Sequence, residues 1–182
     1  EVDAVAAMAE GAVVRRDFDA LRQHLALDRV DAIGWSNGAM NLMVLAIEQP
    51  EILSSAVLLH GMASFLPEDG ETIQSRFPEL LAQFRVFSLQ LQDESLTDEE
   101  KDARAKQFNT QIWFTYMFAD RDAATEQLAT LFADAEFSWR HGVYAQQEWP
   151  TFDVRDRLAE IQLPVLVLGG ALDMLPLAKA QE

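Results

Sequence analysis

"AIGWSNG", residues 32–38, sets a serine between two glycines directly after an apolar run. Gly34-Trp35-Ser36-Asn37-Gly38 fits the pattern G-x-S-x-G, and the residues on either side give that pattern its meaning. "RVDAIGW" before it reads as a short apolar strand. "GAMNLMVLAIEQP" after it reads as a helix apolar on nearly every side, stopped before Pro50, and a helix of that kind is a buried one. At a sharp turn from strand to buried helix, the serine takes a strained backbone conformation and its hydroxyl stands clear above the sheet. The flanking glycines are expected to supply the room that side chains would deny. The N–H of Asn37, aided by the N-terminal end of the helix, then faces an attacked carbonyl as half of an oxyanion hole. The plain alternative is a strand-to-helix turn in which Ser36 only caps the helix.

Two further apolar runs lie downstream. "LSSAVLLHG" at 53–61 is too short for a helix, and "LPVLVLGG" at 163–170 is led in by Pro164. Strands that are continuously apolar and separated by helices are what a parallel sheet covered on both faces requires, so the expected class is α/β. Upstream, Val14, Phe18, Leu21 and Leu25 fall at three- and four-residue spacing and predict an amphipathic helix over at least 16–26.

Between the second and third strands lie about 90 residues of a different character, holding 15 of the 17 aromatics and no β-branched run. They read as several helices. "LTDEEKDARAKQF" opens with a capping box, Thr97 followed three positions later by Glu100. Phe108, Ile112, Trp113 and Tyr116 form one helical stripe, "DRDAATEQLATLFADA" is a further helix, and "FDVRDRLAEI" is a short one leading into the third strand.

The composition narrows the partners. The 182 residues are 49% hydrophobic, the size of one ordinary globular domain. No apolar run approaches the roughly 18–20 residues that a membrane helix needs. A net charge of −16, from 30 acids against 14 bases, repels phosphate backbones and anionic membrane surfaces, so a small-molecule substrate is expected, with no nucleic acid and no membrane. The lack of cysteine excludes disulfides and thiolate sites and is compatible with the expected cytoplasmic setting. Three scattered histidines and no glycine-rich phosphate loop give no expectation of a metal or a cofactor.

The run "LRQHLALDRVDAIGWSNGAMNLMVLAIEQPEILSSAVLLHG" resembles the nucleophile-elbow region of the α/β-hydrolase family, and "FDVRDRLAEIQLPVLVLGGALDMLP" resembles its later segment. The block between them is similar, in position and in helical, aromatic character, to the variable cap of the proline iminopeptidase-like and small-molecule esterase branch. The resemblance implies residues 1–62 as a first part of the hydrolase core, 63–150 as a helical cap and 151–182 as a second part of an incomplete core. It implies Ser36 as nucleophile, with Asn37 at the oxyanion hole, and Asp173, in "GGALDMLP", as the carboxylate that orients a catalytic histidine. Taken alone, Asp173 is equally a turn aspartate capping the next helix.

The family's order Ser…Asp…His leaves the third member unmatched. His24, His60 and His141 all precede Asp173, and none is expected to be the general base. His24 reads as a helix residue and His141 as a surface or packing residue. His60 ends the second strand, where ligands of parallel sheets gather, and is placed with Trp35 among the substrate contacts. The segment that supplies the second oxyanion N–H in this family is also unmatched, since "AVLLHG" follows the serine instead of preceding it. The chain is therefore expected to be an internal piece of a longer hydrolase, without esterase activity of its own.

For the longer protein the first expectation is hydrolysis of a carboxylic ester through an acyl-enzyme. The aromatics of the cap suggest a partly apolar substrate, although more than half of them are expected to form the cap's own core. The alternatives are a proline iminopeptidase-like aminopeptidase, with Glu136 or Glu148 meeting the substrate amine, and a hydrolase-fold protein that binds a ligand or partner without catalysis.

Overall fold

The computed structural model describes residues 11–65, 73–171 and 173–175, without the side chains of 73, 74 and 144–149. Helix α1 (Gly11–His24) leads to strand β1 (Val30–Trp35), helix α2 (Asn37–Glu48) and strand β2 (Leu53–Leu59). Five helices follow, α3 (Ile73–Arg76), α4 (Pro78–Leu91), α5 (Asp98–Gln111), α6 (Arg121–Leu131) and α7 (Trp139–Glu148), before strand β3 (Val165–Leu168).

The strands form one parallel sheet in the order β1-β2-β3. Parallel neighbours need crossover connections, and α2 supplies the first. The register pairs Ala32 with Ala56 and Gly34 with Leu58, placing these small and buried positions on one face. Helix α2 packs there through Ala39, Met40, Leu42, Met43, Leu45, Ala46 and Ile47, all buried as its all-round apolar sequence predicts. Each large side chain among them contributes about 1.5–3 kcal/mol when fully removed from water. On the opposite face Ile33 is 72% exposed, and β3 is exposed on both of its faces, in keeping with the expected incomplete core.

Several element ends differ from their predicted positions. Helix α1 stops at His24 and not at 26, because the chain turns out through a Schellman motif. Leu27 N–H donates to Arg22 O and Ala26 N–H to Gln23 O, which sets Ala26 in the left-handed region at φ 53°. The stripe through Phe108, Ile112, Trp113 and Tyr116 is not one helix. Helix α5 ends at Gln111, Ile112 leaves helical geometry, and Trp113–Met117 continues as a 3-10 helix. Asn109 and Thr110 donate their side chains to the carbonyls of Ala105 and Lys106, and such back-bonding weakens a helix end. "FDVRDRLAEI" is likewise a 3-10 helix, Arg155–Glu160. The predicted capping box is present, with Glu100 N–H donating to Thr97 Oγ1 at 3.2 Å and Thr97 N–H donating to Glu100 Oε2 at 2.8 Å.

The chain leaves the sheet region and returns to it side by side. Ser64 and Asp153 form an antiparallel bridge, flanked by Phe65 N–H to Phe152 O at 3.0 Å and Val154 N–H to Ala63 O at 2.8 Å. Ser64 is wholly buried in this clamp, so the helical segment is tied together where it leaves and rejoins the sheet region.

Candidate functional site

Three strand ends meet at one edge of the sheet. Ser36, directly after β1, donates its N–H to Leu59 O at 2.9 Å. His60, directly after β2, donates its N–H to Leu168 O at 2.8 Å. Asp173 follows β3 in a turn closed by its own N–H to Gly170 O at 3.1 Å. Each strand end is thus sewn to the next, and the C-terminal ends of parallel strands are where ligands of such sheets bind.

Ser36 holds φ 52° and ψ −119°, a conformation that a non-glycine residue adopts at a cost of about 1–3 kcal/mol. Its side chain makes no cap bond to α2. The capping alternative therefore falls, since the N-terminus of α2 receives nothing from the hydroxyl. Asn37 is the first residue of α2, where an N–H has no intrahelical acceptor. Its carbonyl accepts from Asn41 Nδ2 at 3.1 Å, and Arg15 Nη1 donates to Asn41 Oδ1 at 3.0 Å, so a small polar network braces the first turn.

The two glycines are not equivalent. A Cβ on Gly34 would lie 2.6 Å from the Gly38 carbonyl carbon and 2.7 Å from Ala39 Cα, backbone atoms that cannot yield cheaply. A Cβ on Gly38 would meet nothing within 4 Å. The turn therefore needs Gly34 for close approach of strand and helix, and the expectation that Gly38 also supplies room is corrected.

His60 stands against Asp173, with Nδ1 on Oδ2. Nδ1 is buried and has no well-directed hydrogen bond, so the carboxylate oxygen is the group it faces. The Asp173 side chain is 8% exposed against 36% for His60. Leu175 N–H donates to Asp173 Oδ1 at 3.0 Å, so Asp173 also serves as the aspartate of a turn. His60 adopts φ 49°, giving left-handed, non-glycine residues at the ends of two adjacent strands.

The remaining candidates lie further out. Trp35 is half exposed on the face away from α2, and its ring centroid is 6.4 Å from that of Phe114 in the helical segment. Phe114 stacks on Phe132 at 5.4 Å, and Phe132 meets Phe137 edge-on at 5.7 Å. His24 and His141 are exposed at helix ends, Glu136 is exposed, and the side chain of Glu148 lies outside the described residues. Sequence reasoning missed the meeting of His60 with Asp173. The signal was present in part, since both residues close apolar strands, but the adjacency of those strands was not.

The acid turn is also held from the helical side. Met174, 3% exposed, forms a buried cluster with Leu80 and Tyr116, lined by Phe77, Ile112, Trp113 and Leu175. Burial pushes the Tyr116 hydroxyl above its ordinary pKa, and the Arg121 guanidinium lies 3.7 Å over its ring centroid. Among the described residues no group of three or more His, Cys, Asp or Glu is arranged to hold a metal ion. Among them, too, no helix is long and apolar enough to cross a membrane.

An elbow serine and a strand-end carboxylate on a parallel sheet are the marks of one fold class. Residues 10–178 match the family model described as the alpha/beta hydrolase fold, and the chain belongs to the α/β-hydrolase family. RutD of Rhizobium rhizogenes (strain K84), a protein described by its name as a carbamate hydrolase, is 26% identical over 152 residues, covering 83% of this chain and 52% of the relative. An alpha/beta fold family hydrolase from Bacillus anthracis superposes with a TM-score of 0.71 at 20% identity, over 94% of this chain and 61% of that one. An esterase from Exiguobacterium antarcticum gives 0.66 at 18% identity, over 97% and 61%. The chain thus spans about half the length of the curated relative and three-fifths of these structures.

Proposed function

We propose that this chain carries the nucleophile and the acid of a serine hydrolase that cleaves a carboxylic ester of a small, partly apolar substrate. The observation that carries the reading is the strained Ser36, held at a strand-to-helix turn with its side chain uncommitted to the helix. Ser36 Oγ attacks the acyl carbonyl carbon while its proton passes to an imidazole, which Asp173 orients and stabilises as it becomes charged. None of His24, His60 and His141 is assigned that imidazole in this reading. The Asn37 N–H holds the developing oxyanion. The imidazolium returns the proton to the leaving alcohol, and water then releases the acid from Ser36 by the same steps in reverse.

Residues 63–150 act in this reading as a cap, and residues 1–62 and 151–182 as the core. The clamp at Ser64 and Asp153 supports that division, because it closes the helical segment on itself at its base. Trp35 and Phe114, ring against ring between core and cap, support an apolar wall beside the nucleophile. The relative named for carbamate hydrolysis favours one second substrate, since a carbamate offers the same carbonyl to the same serine.

The test is covalent labelling. In the longest natural polypeptide that carries this chain, a fluorophosphonate should attach to Ser36. Ser36→Ala should abolish labelling and lower p-nitrophenyl acetate turnover by a factor on the order of 1,000 or more. Labelling at another residue, or turnover retained in Ser36→Ala, would overturn the reading. Comparing an ester with a carbamate of the same leaving group separates the two substrates.

A further inference from the structure

We infer that His60 is a positioning residue of the acid, a second partner that holds the Asp173 carboxylate beside the catalytic base. The inference rests on the serine-hydrolase reading and assigns His60 a role other than substrate contact. Three observations converge on it. His60 Nδ1 is buried against Asp173 Oδ2, while Leu175 N–H donates to Oδ1, so each carboxylate oxygen has a neighbour facing it. The backbone of His60 is left-handed at φ 49°, while the next residue, Gly61, is taken up with the close approach of Ala39, whose Cβ a Cβ at 61 would meet at 2.6 Å. Backbone strain of this kind, held at the end of a strand, clusters where a side chain is positioned for function. Finally, Gly170 lies beneath the pair, where a Cβ would sit 3.6 Å from His60 Cε1 and 3.7 Å from Asp173 Cβ, so the ring and the acid are seated together over the end of β3.

An Nδ1–H, aligned by a small turn of the ring, would donate to the Oδ2 it already faces and fix the plane of the carboxylate. Oδ2 keeps a second lone pair for the ring of the catalytic base. A carboxylate fixed in this way orients that base without reorganising during turnover.

Two substitutions separate side chain from backbone. Asparagine tolerates the left-handed region and offers an N–H near the place of Nδ1, whereas glycine takes the same backbone freely and offers nothing. In the longest natural polypeptide, His60→Asn should keep kcat for p-nitrophenyl acetate within about threefold, and His60→Gly should lower kcat roughly ten- to a hundredfold, the size of losing an outer-shell partner. KM should stay unchanged in both, and the Tm of His60→Gly should not fall. Wild-type kcat in His60→Gly would overturn the inference. A change confined to KM would make His60 a substrate contact instead. A loss in both variants as deep as in Ser36→Ala would make His60 the base itself. If Ser36→Ala retains turnover, the serine-hydrolase reading fails first, and that outcome is read without reference to His60.

Discussion

Arg76 and Leu175 lie 99 positions apart and meet directly, Arg76 Nη1 donating to the Leu175 carbonyl at 3.2 Å. The same Leu175 donates its N–H to Asp173 Oδ1. The helical segment and the acid therefore hold the two backbone ends of one residue, and Met174 before it is buried in a cluster with Leu80 and Tyr116 of the helical segment. Arg76 of α3 and Leu80 of α4 thus both bear on the turn that carries Asp173.

Met174→Ala should accordingly do two things. Removing a buried methionine side chain costs about 2–5 kcal/mol through lost transfer energy and the cavity left behind. Urea unfolding monitored by circular dichroism should show that loss as a lower midpoint. In the longer protein kcat should fall as well, because the turn that carries Asp173 loses its floor. Leu80→Ala, on the opposite wall of the same cluster and wholly buried, should cost a similar amount of stability with a smaller change in kcat.

How much of this could be read in the residues depends on how local each signal is. The elbow was legible because its determinants sit within a few positions: an apolar strand, Gly34, Ser36 and a helix greasy on every side. The Thr97–Glu100 box was legible for the same reason. Asp173 was marked by the Gly-Gly turn before it. The meeting of His60 with Asp173 was not legible, since it depends on β2 lying beside β3 across more than 100 residues of chain. The break of α5 at Ile112 was hidden too, because Ile112, Trp113 and Tyr116 keep an apolar spacing that suits both an unbroken helix and the buried cluster they in fact line.

Ala26 offers a stabilising change. It occupies the left-handed position of the Schellman turn that ends α1, where glycine is the usual residue. Relief of the Cβ clash is worth about 1–2 kcal/mol, offset in part by the greater freedom of an unfolded glycine. Ala26→Gly should therefore raise Tm by roughly 2 °C, measurable by differential scanning calorimetry. A fall in Tm would show that the turn is not held in this conformation in solution.

Acid should weaken the start of α5. The backbone N–H and the hydroxyl of Thr97 hold the Glu100 carboxyl below its ordinary value of 4.5. A folded-state pKa lower than the unfolded one means that the contribution to stability is present above 4.5 and is lost as the pH falls through the folded value. Glu100→Gln removes the titration while leaving a side chain that can still serve in a capping box. Wild type should be the more stable at about pH 7, and the gap should close toward about pH 3, as read by urea midpoints in the two conditions.

The sharpest contrast lies in the elbow itself. G-x-S-x-G treats its two glycines alike, yet only Gly34 stands where a methyl group would press on the backbone of Gly38 and Ala39. Gly34→Ala must push β1 and α2 apart, and overpacking of that kind against main chain costs about 3 kcal/mol or more. Because the displaced atoms belong to the first turn of α2, the N–H of Asn37 moves with them, and fluorophosphonate labelling of Ser36 in the longer protein should slow in step. Gly38→Ala meets open space in this chain at an ordinary helical φ, so it should leave its urea midpoint unchanged or raise it, by up to about 1 kcal/mol from helix propensity. Equal destabilisation by the two substitutions would mean that strand and helix do not approach each other as closely as Gly34 allows.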